Sequence, residues 1–266
     1  KSANHTLHIL QSQTLSEERK REIIDELVFS SDNFYDTNMF DGGYKIVFYS
    51  TFTDPMLGVY RRKETGEYVT FGDWCFDLTD DKNRAGYLSK ELDSANCTFT
   101  EKDLDSFKEK YEYCGRLSTD EIVENLKKIR EILDKKTLLV LMLGSEKEHL
   151  ANTQKAYENR HVFARELNEK IRKAFENNDN VKYICFTDFV TGQQDYLDSI
   201  SHFSKIVYYK AAQRVIEIIE ENTGREIKRR SGFFLFATKI FAKSKKNKTL
   251  YGFMLKIRKI IKKFMK

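Results

Sequence analysis

Asp198 and His202 stand four residues apart in the segment DYLDSISHFSKIVYYKAAQRVIEII (195–219), immediately before an aromatic, apolar run. An imidazole oriented by a carboxylate is a general base, and with a serine hydroxyl it carries out acyl transfer. The same two residues could also serve a turn and a helix entry. Ser12, in LQSQTLS, is the serine whose position qualifies as nucleophile; otherwise it is a turn serine ahead of a helix capped by Thr14 with Glu17, or by Ser16. Ser50 competes for the role, although the TFTDP that follows it holds no helix to aim it. Thr53 and Asp54 are candidate pocket groups, with Asp54 before Pro55 also a natural turn former. Gly43 is a candidate main-chain donor to an oxyanion, or half of a tight Gly42-Gly43 turn.

The elements that must position these residues alternate. HTLHIL (5–10) reads as a short strand, and EERKREIIDELV as a helix with Ile23, Ile24 and Leu27 at helical spacing. YKIVFYS (44–50) reads as a buried strand, and GVYRRKETGEYVTFGD as a hairpin turning at Thr65-Gly66. Residues 74–116 are polar and irregular around a helix at 101–113. Then follow a helix capped by Ser118 or Thr119, the wholly apolar strand TLLVLML (137–143), a helix over 153–177, the strand VKYICFTDF and a helix over 204–222. This order predicts an α/β fold, a three-layer parallel sheet with helices on both faces. Ligand-contacting groups then collect at the carboxyl ends of the strands. Ser12, Ser50, Thr53, Asp54, Ser145 after the strand 137–143, Asp198 and His202 all fall in the loops expected there.

DSISHFSKIVYYKAAQRVIEII resembles the Asp/His loop and last helix of the SGNH/GDSL hydrolases. YKIVFYSTFTD is similar to that family's apolar strand leading into Gly-x-Asn-Asp, and NLKKIREILDKKTLLVLML to its next helix and strand. Leu10-Gln11-Ser12 stands where the family has Gly-Asp-Ser, Thr53 stands where it has Asn, and three residues rather than two separate Asp198 from His202. The resemblance covers about residues 5–222 apart from 58–117. It implies an SGNH-hydrolase or flavodoxin-like domain over 1–222 with an insertion at 58–117. It also implies a catalytic set of Ser12, Asp198 and His202. Similar Asp-x-x-x-His-Phe segments accompany bacterial capsule and envelope polysaccharide genes, which implies a carbohydrate or glycolipid substrate. The function expected is an O-acetylesterase or O-acyltransferase, needing a donor such as acetyl-CoA only in the second case. The alternatives are a glycosyltransferase of envelope polysaccharide synthesis and a non-catalytic module recruited to a membrane.

Composition narrows the setting. The 266 residues include one proline, Pro55, and four dispersed cysteines without a C-x-x-C pair, so neither a zinc site nor a disulfide framework is indicated and no metal is expected. G-x-G-x-x-G and G-x-x-x-x-G-K-[ST] are absent. No apolar run reaches the eighteen or so residues of a membrane span. The chain starts at Lys1 rather than Met, so sequence upstream is expected.

The net charge of +5 hides an asymmetry, since residues 225–266 hold 15 Lys/Arg and one acid against 31 and 40 in the remainder. On a helix over 251–266, Phe253, Ile257, Ile260 and Phe264 share a stripe flanked by Lys256, Lys259 and Lys263. That pattern suits an anionic membrane interface, each basic residue contributing about 1 kcal/mol near the surface. Nucleic acid is disfavoured, because it needs the charge but leaves the apolar stripe unexplained. The tail, 223–266, is therefore expected to form basic amphipathic helices that hold a cytoplasmic protein on the inner face of the cytoplasmic membrane.

Overall fold

The apolar run at 138–143 is the central strand of a parallel sheet. The computed structural model describes residues 5–27, 34–71, 77–89, 99–148, 159–197 and 202–228. In it, β1 (Ile46–Ser50), β5 (Leu138–Leu143) and β6 (Val181–Cys185) pair in the order β1-β5-β6, with Ile46 opposite Leu138 and Leu139 opposite Val181. Both neighbours of β5 supply hydrogen bonds, and its residues are buried on both faces except at Met142.

Alternation along these strands sends side chains to two separate layers. Val47, Tyr49, Leu139, Leu141 and Leu143 pack with Ile9 of α1 (Thr6–Thr14), Ile122, Leu126 and Ile129 of α5 (Thr119–Ile132), and Leu167 and Ile171 of α6 (Arg160–Ala174). Ile46, Phe48, Leu138, Val140 and Ile184 face the other way, against Val215 and Ile218 of α7 (Lys205–Thr223). Helices therefore cover both faces of the sheet, and the expected α/β architecture holds at this level.

A second sheet is built from β2 (Gly58–Arg62), β3 (Tyr68–Phe71) and β4 (Tyr111–Gly115), antiparallel in the order β3-β2-β4. Its hairpin turns through Gly66 at φ +82°, where a side chain would be strained. Tyr60, Val69 and Tyr111 form its core with Ile23 of α2 (Glu17–Glu26), Tyr87 of α3 (Asp81–Leu88), and Leu104 and Phe107 of α4 (Glu101–Lys110).

Two readings differ in kind from the structure: residues 111–113, expected to end the helix over 101–113, belong to the strand β4, and the first element changes class. Residues 6–14 are the helix α1, not a strand. Its buried positions, Thr6, His8, Ile9 and Ser12, lie along one helical face, and a carboxylate from a distant loop caps its start. The last long helix before β6 is described from Arg160, and the expected start near 153 lies outside the described residues. So do Asp198, Cys75, Cys97 and the whole stripe Phe253, Lys256, Ile257, Lys259, Ile260, Lys263 and Phe264.

Candidate active site

A cavity of about 310 Å³ opens at the carboxyl ends of β1 and β5. The loop after β1 supplies Thr51, Phe52, Pro55 and Met56, and the loop after β5 supplies Gly144 and Ser145. Asn159, Arg160, Phe163, Ala164, Leu167 and Asn168 line it from the start of α6. Arg116 reaches it from the link between β4 and α5, and Phe203 from the segment before α7.

The polar groups of this wall are held by specific partners. Thr51 Oγ1 donates to the Met142 carbonyl at 3.1 Å, which ties the β1 loop to β5. The Tyr196 hydroxyl donates to the Lys147 carbonyl at 2.7 Å, so the 2.8 Å contact between Ser145 Oγ and Tyr196 has the serine as donor. Lys147 N in turn donates to Ser145 Oγ at 3.3 Å. Burial pushes the Tyr196 phenol up from its ordinary range, so it stays protonated near neutrality. Asn168 is fully buried, and its Nδ2 donates to the Gly144 carbonyl at 3.0 Å and to Glu146 Oε1 at 2.9 Å. Both acceptors fix the amide's orientation, and its Oδ1 is left without a partner.

His202 is exposed, and its carbonyl accepts a bond from Leu197 N at 2.9 Å. Its neighbour Phe203 bridges Tyr196, stacks on Phe186 and lines the cavity. The capping duty at α7 belongs to Ser204, whose hydroxyl accepts from Val207 N, so neither member of the Asp198/His202 pair is needed for it. Asp195 organises this turn by accepting from the Thr191 main chain and hydroxyl, each at 2.7 Å. Burial opposes its ionisation, but those bonds, Gly192 and the nearby Lys210 charge hold its carboxyl below the usual carboxylate range.

The other residues singled out by sequence are spread over the molecule. Ser12 sits in the last turns of α1, where its hydroxyl donates to the Ile9 carbonyl at 2.6 Å. Ser16 caps α2, accepting from Arg19 N. Ser50 ends β1, and its Oγ accepts from Phe52 N at 3.4 Å. The Thr53 carbonyl closes a turn by accepting from Met56 N. Gly43, at φ +74°, precedes β1 and so lies at its amino end, across the strand from the cavity. None of Ser12, Gly43, Ser50, Thr53 and Asp54 belongs to the cavity wall.

Asp54 is instead completely buried. It accepts from Thr6 N at 2.9 Å, from Thr6 Oγ1 at 2.5 Å and from the Tyr49 hydroxyl at 2.5 Å, while His5 Nδ1 lies 4.0 Å away. Burial, then the Asp54 charge and its bond, push Tyr49 well above its ordinary range, so this phenol is a fixed donor. Asp54 thus anchors the start of α1.

Ser145 was visible in the sequence as the serine after the apolar strand 137–143. Arg116, Arg160 and Asn168 were not, since two segments far apart in sequence, the β4–α5 link and α6, deliver them. Among the described residues, no three His, Cys, Asp or Glu side chains come together as a metal cage. No protein-family model matches the chain, and neither curated proteins nor solved structures give a match. The cavity offers an apolar wall, two guanidinium groups, a serine hydroxyl and a buried amide. Such a set can hold a polar ring beside an apolar substituent.

Proposed function

We propose that the chain is an acyl-ester enzyme of the SGNH-hydrolase kind. It is an O-acetylesterase or O-acyltransferase acting on a carbohydrate of the bacterial cell envelope or capsule. The cavity carries this reading: Phe52, Met56, Phe163 and Leu167 offer an apolar seat for an acyl group beside the Ser145 hydroxyl and two arginines. In this reading a serine oxygen attacks the ester carbonyl, the imidazole of His202 takes the hydroxyl proton, and Asp198 orients the ring. The proton then passes to the departing sugar oxygen, and water or a second sugar hydroxyl releases the acyl group. Ser145 is the serine that the cavity offers, and Ser12 is the serine that the family resemblance offers. A transferase would take its acyl group from a donor such as acetyl-CoA. The basic tail would hold the enzyme on the inner face of the cytoplasmic membrane; among the described residues, no helix is long and apolar enough to cross one.

The test is turnover of p-nitrophenyl acetate, or acetyl transfer from acetyl-CoA to a sugar, by the intact chain and by His202→Ala, Ser12→Ala and Ser145→Ala. Loss of turnover in His202→Ala and in one serine variant is the expected result. Turnover that survives all three changes, or none with either donor, removes the reading. Flotation with anionic liposomes, lost in high salt and on deleting 225–266, is the matching result for the tail.

A non-catalytic binding module is the second reading. It is favoured by the Ser145 hydroxyl donating to Tyr196 rather than to an imidazole. The hydroxyl would have to rotate before it could give its proton to His202.

A further inference from the structure

The cavity wall holds two cations, Arg116 and Arg160, and among the described residues lining it there is no Asp or Glu. Glu146, which accepts from Asn168 Nδ2 at 2.9 Å, is paired with Arg172 at 3.3 Å. The start of α6, a helix of 15 residues, adds to the positive field there. Its N-cap, Asn159, makes no side-chain cap bond, its first turn holds no acid, and both Asn159 and Arg160 face the cavity. A second, independent feature is the unpartnered Oδ1 of the fully buried Asn168, an acceptor in the same wall. A bare anion such as chloride offers no donor to that oxygen, whereas a ring hydroxyl does. Phe163 and Phe203 supply flat apolar surface, and a volume of about 310 Å³ is at the small end of ligand cavities.

We propose that this cavity takes an acidic sugar, its negative group held by Arg116 and Arg160 at the start of α6 and a ring hydroxyl directed to Asn168. The inference deepens the acyl-ester reading by naming the class of carbohydrate, and rests on it only for the chemistry. A carboxylate (a uronic acid) and a phosphate (a sugar phosphate) share the recognition, because guanidinium groups pair with either by two parallel bonds.

The experiment is titration calorimetry on the full chain with glucuronate, galacturonate, glucose 6-phosphate, glucose, galactose and inorganic phosphate. At least one acidic sugar is expected to bind about tenfold or more tightly than its neutral twin, and to weaken as salt is raised. Arg116→Gln and Arg160→Gln should each remove about tenfold of that preference, and Arg116→Lys should restore part of it. Thermal melting of each variant establishes that it is folded. Whichever of the uronates and glucose 6-phosphate binds more tightly identifies the negative group. Equal binding of neutral and acidic sugars, inorganic phosphate binding as tightly as any sugar, or no binding by any of the six would overturn the proposal. Because binding is read directly, a preference for acidic sugars without ester turnover would remove only the acyl-ester reading. Ester turnover without that preference would remove only this one.

Discussion

The Asp54 carboxylate, in the loop after β1, accepts the main-chain NH of Thr6 at 2.9 Å and its hydroxyl at 2.5 Å, 48 residues away in sequence. The helix α1 therefore begins where the sheet ends, and its first turn is fixed by a buried acid rather than by its own cap alone.

Removing that acid strips three buried donors of their acceptor: Thr6 N, Thr6 Oγ1 and the Tyr49 hydroxyl. Asp54→Ala should cost about 3 kcal/mol, read as a lower urea midpoint with the slope unchanged. A midpoint within experimental error of the parent would show that the network contributes little.

Acid should weaken the protein before its carboxylates titrate. Burial, then the nearby His5, holds His8 well below its ordinary value of 6.5. His5 is lowered as well, by burial against the raising influence of Asp54. Each folded value is depressed, so the unfolded chain takes up protons near pH 6.5 while the native one does not. Stability is complete above about pH 6.5 and falls as the pH drops toward the folded values, by at most about 1.4 kcal/mol per pH unit for each histidine. In His8→Gln, whose amide oxygen can still accept from Thr70 N, the decline in midpoint between pH 7 and 5 should be shallower by about one proton. An unchanged slope would contradict the burial argument.

A separate window lies lower. Glu67 grips Arg19 with both oxygens, at 2.7 and 3.1 Å, joining the β2–β3 hairpin to α2. The Arg19 guanidinium, against the opposing influence of burial, holds this carboxyl at about 2. The folded value is depressed, so its contribution is complete above the ordinary 4.5 and disappears as the pH falls toward 2. Glu67→Gln should cost about 2 kcal/mol at pH 7 and progressively less across that window. A penalty independent of pH would assign its role to packing.

Ser145 and Tyr196 form one chain of bonds ending on the Lys147 carbonyl. Ser145→Ala and Tyr196→Phe should each destabilise, and the double variant should show a coupling of about 1 kcal/mol in denaturant titration. Strict additivity would mean that the two hydroxyls do not meet in solution.

Sequence patterns reached unequally into this structure. The strands of the parallel sheet were legible because each is a short apolar run bounded by polar loops, as at 138–143 and 181–185. α5 was legible through Ser118, whose capping box with Glu121 forms as the spacing predicts. α1 was misread because Thr6 and His8 alternate with Leu7 and Ile9, as in a strand, while the helix owes its start to Asp54, which no local window includes. The cavity was half legible. Strand ends pointed to its location and to Ser145, whereas Arg116 comes from the link that follows β4 and Arg160 and Asn168 from two turns of α6. No periodicity of a single segment could have joined them.

α1 is bonded in two directions. Its first turn is tied to Asp54 and to Asn125 of α5, beside the parallel sheet. Farther along, His8 accepts from Thr70 N, and Gln11 exchanges two bonds with the Tyr68 main chain, at 2.6 and 2.7 Å, on β3 of the other sheet. Neither layer can open along this seam without breaking bonds to the same nine-residue helix. The two cores are thereby made a single cooperative unit, and the slowest amide protons of α1 should exchange with deuterium only when both come apart together.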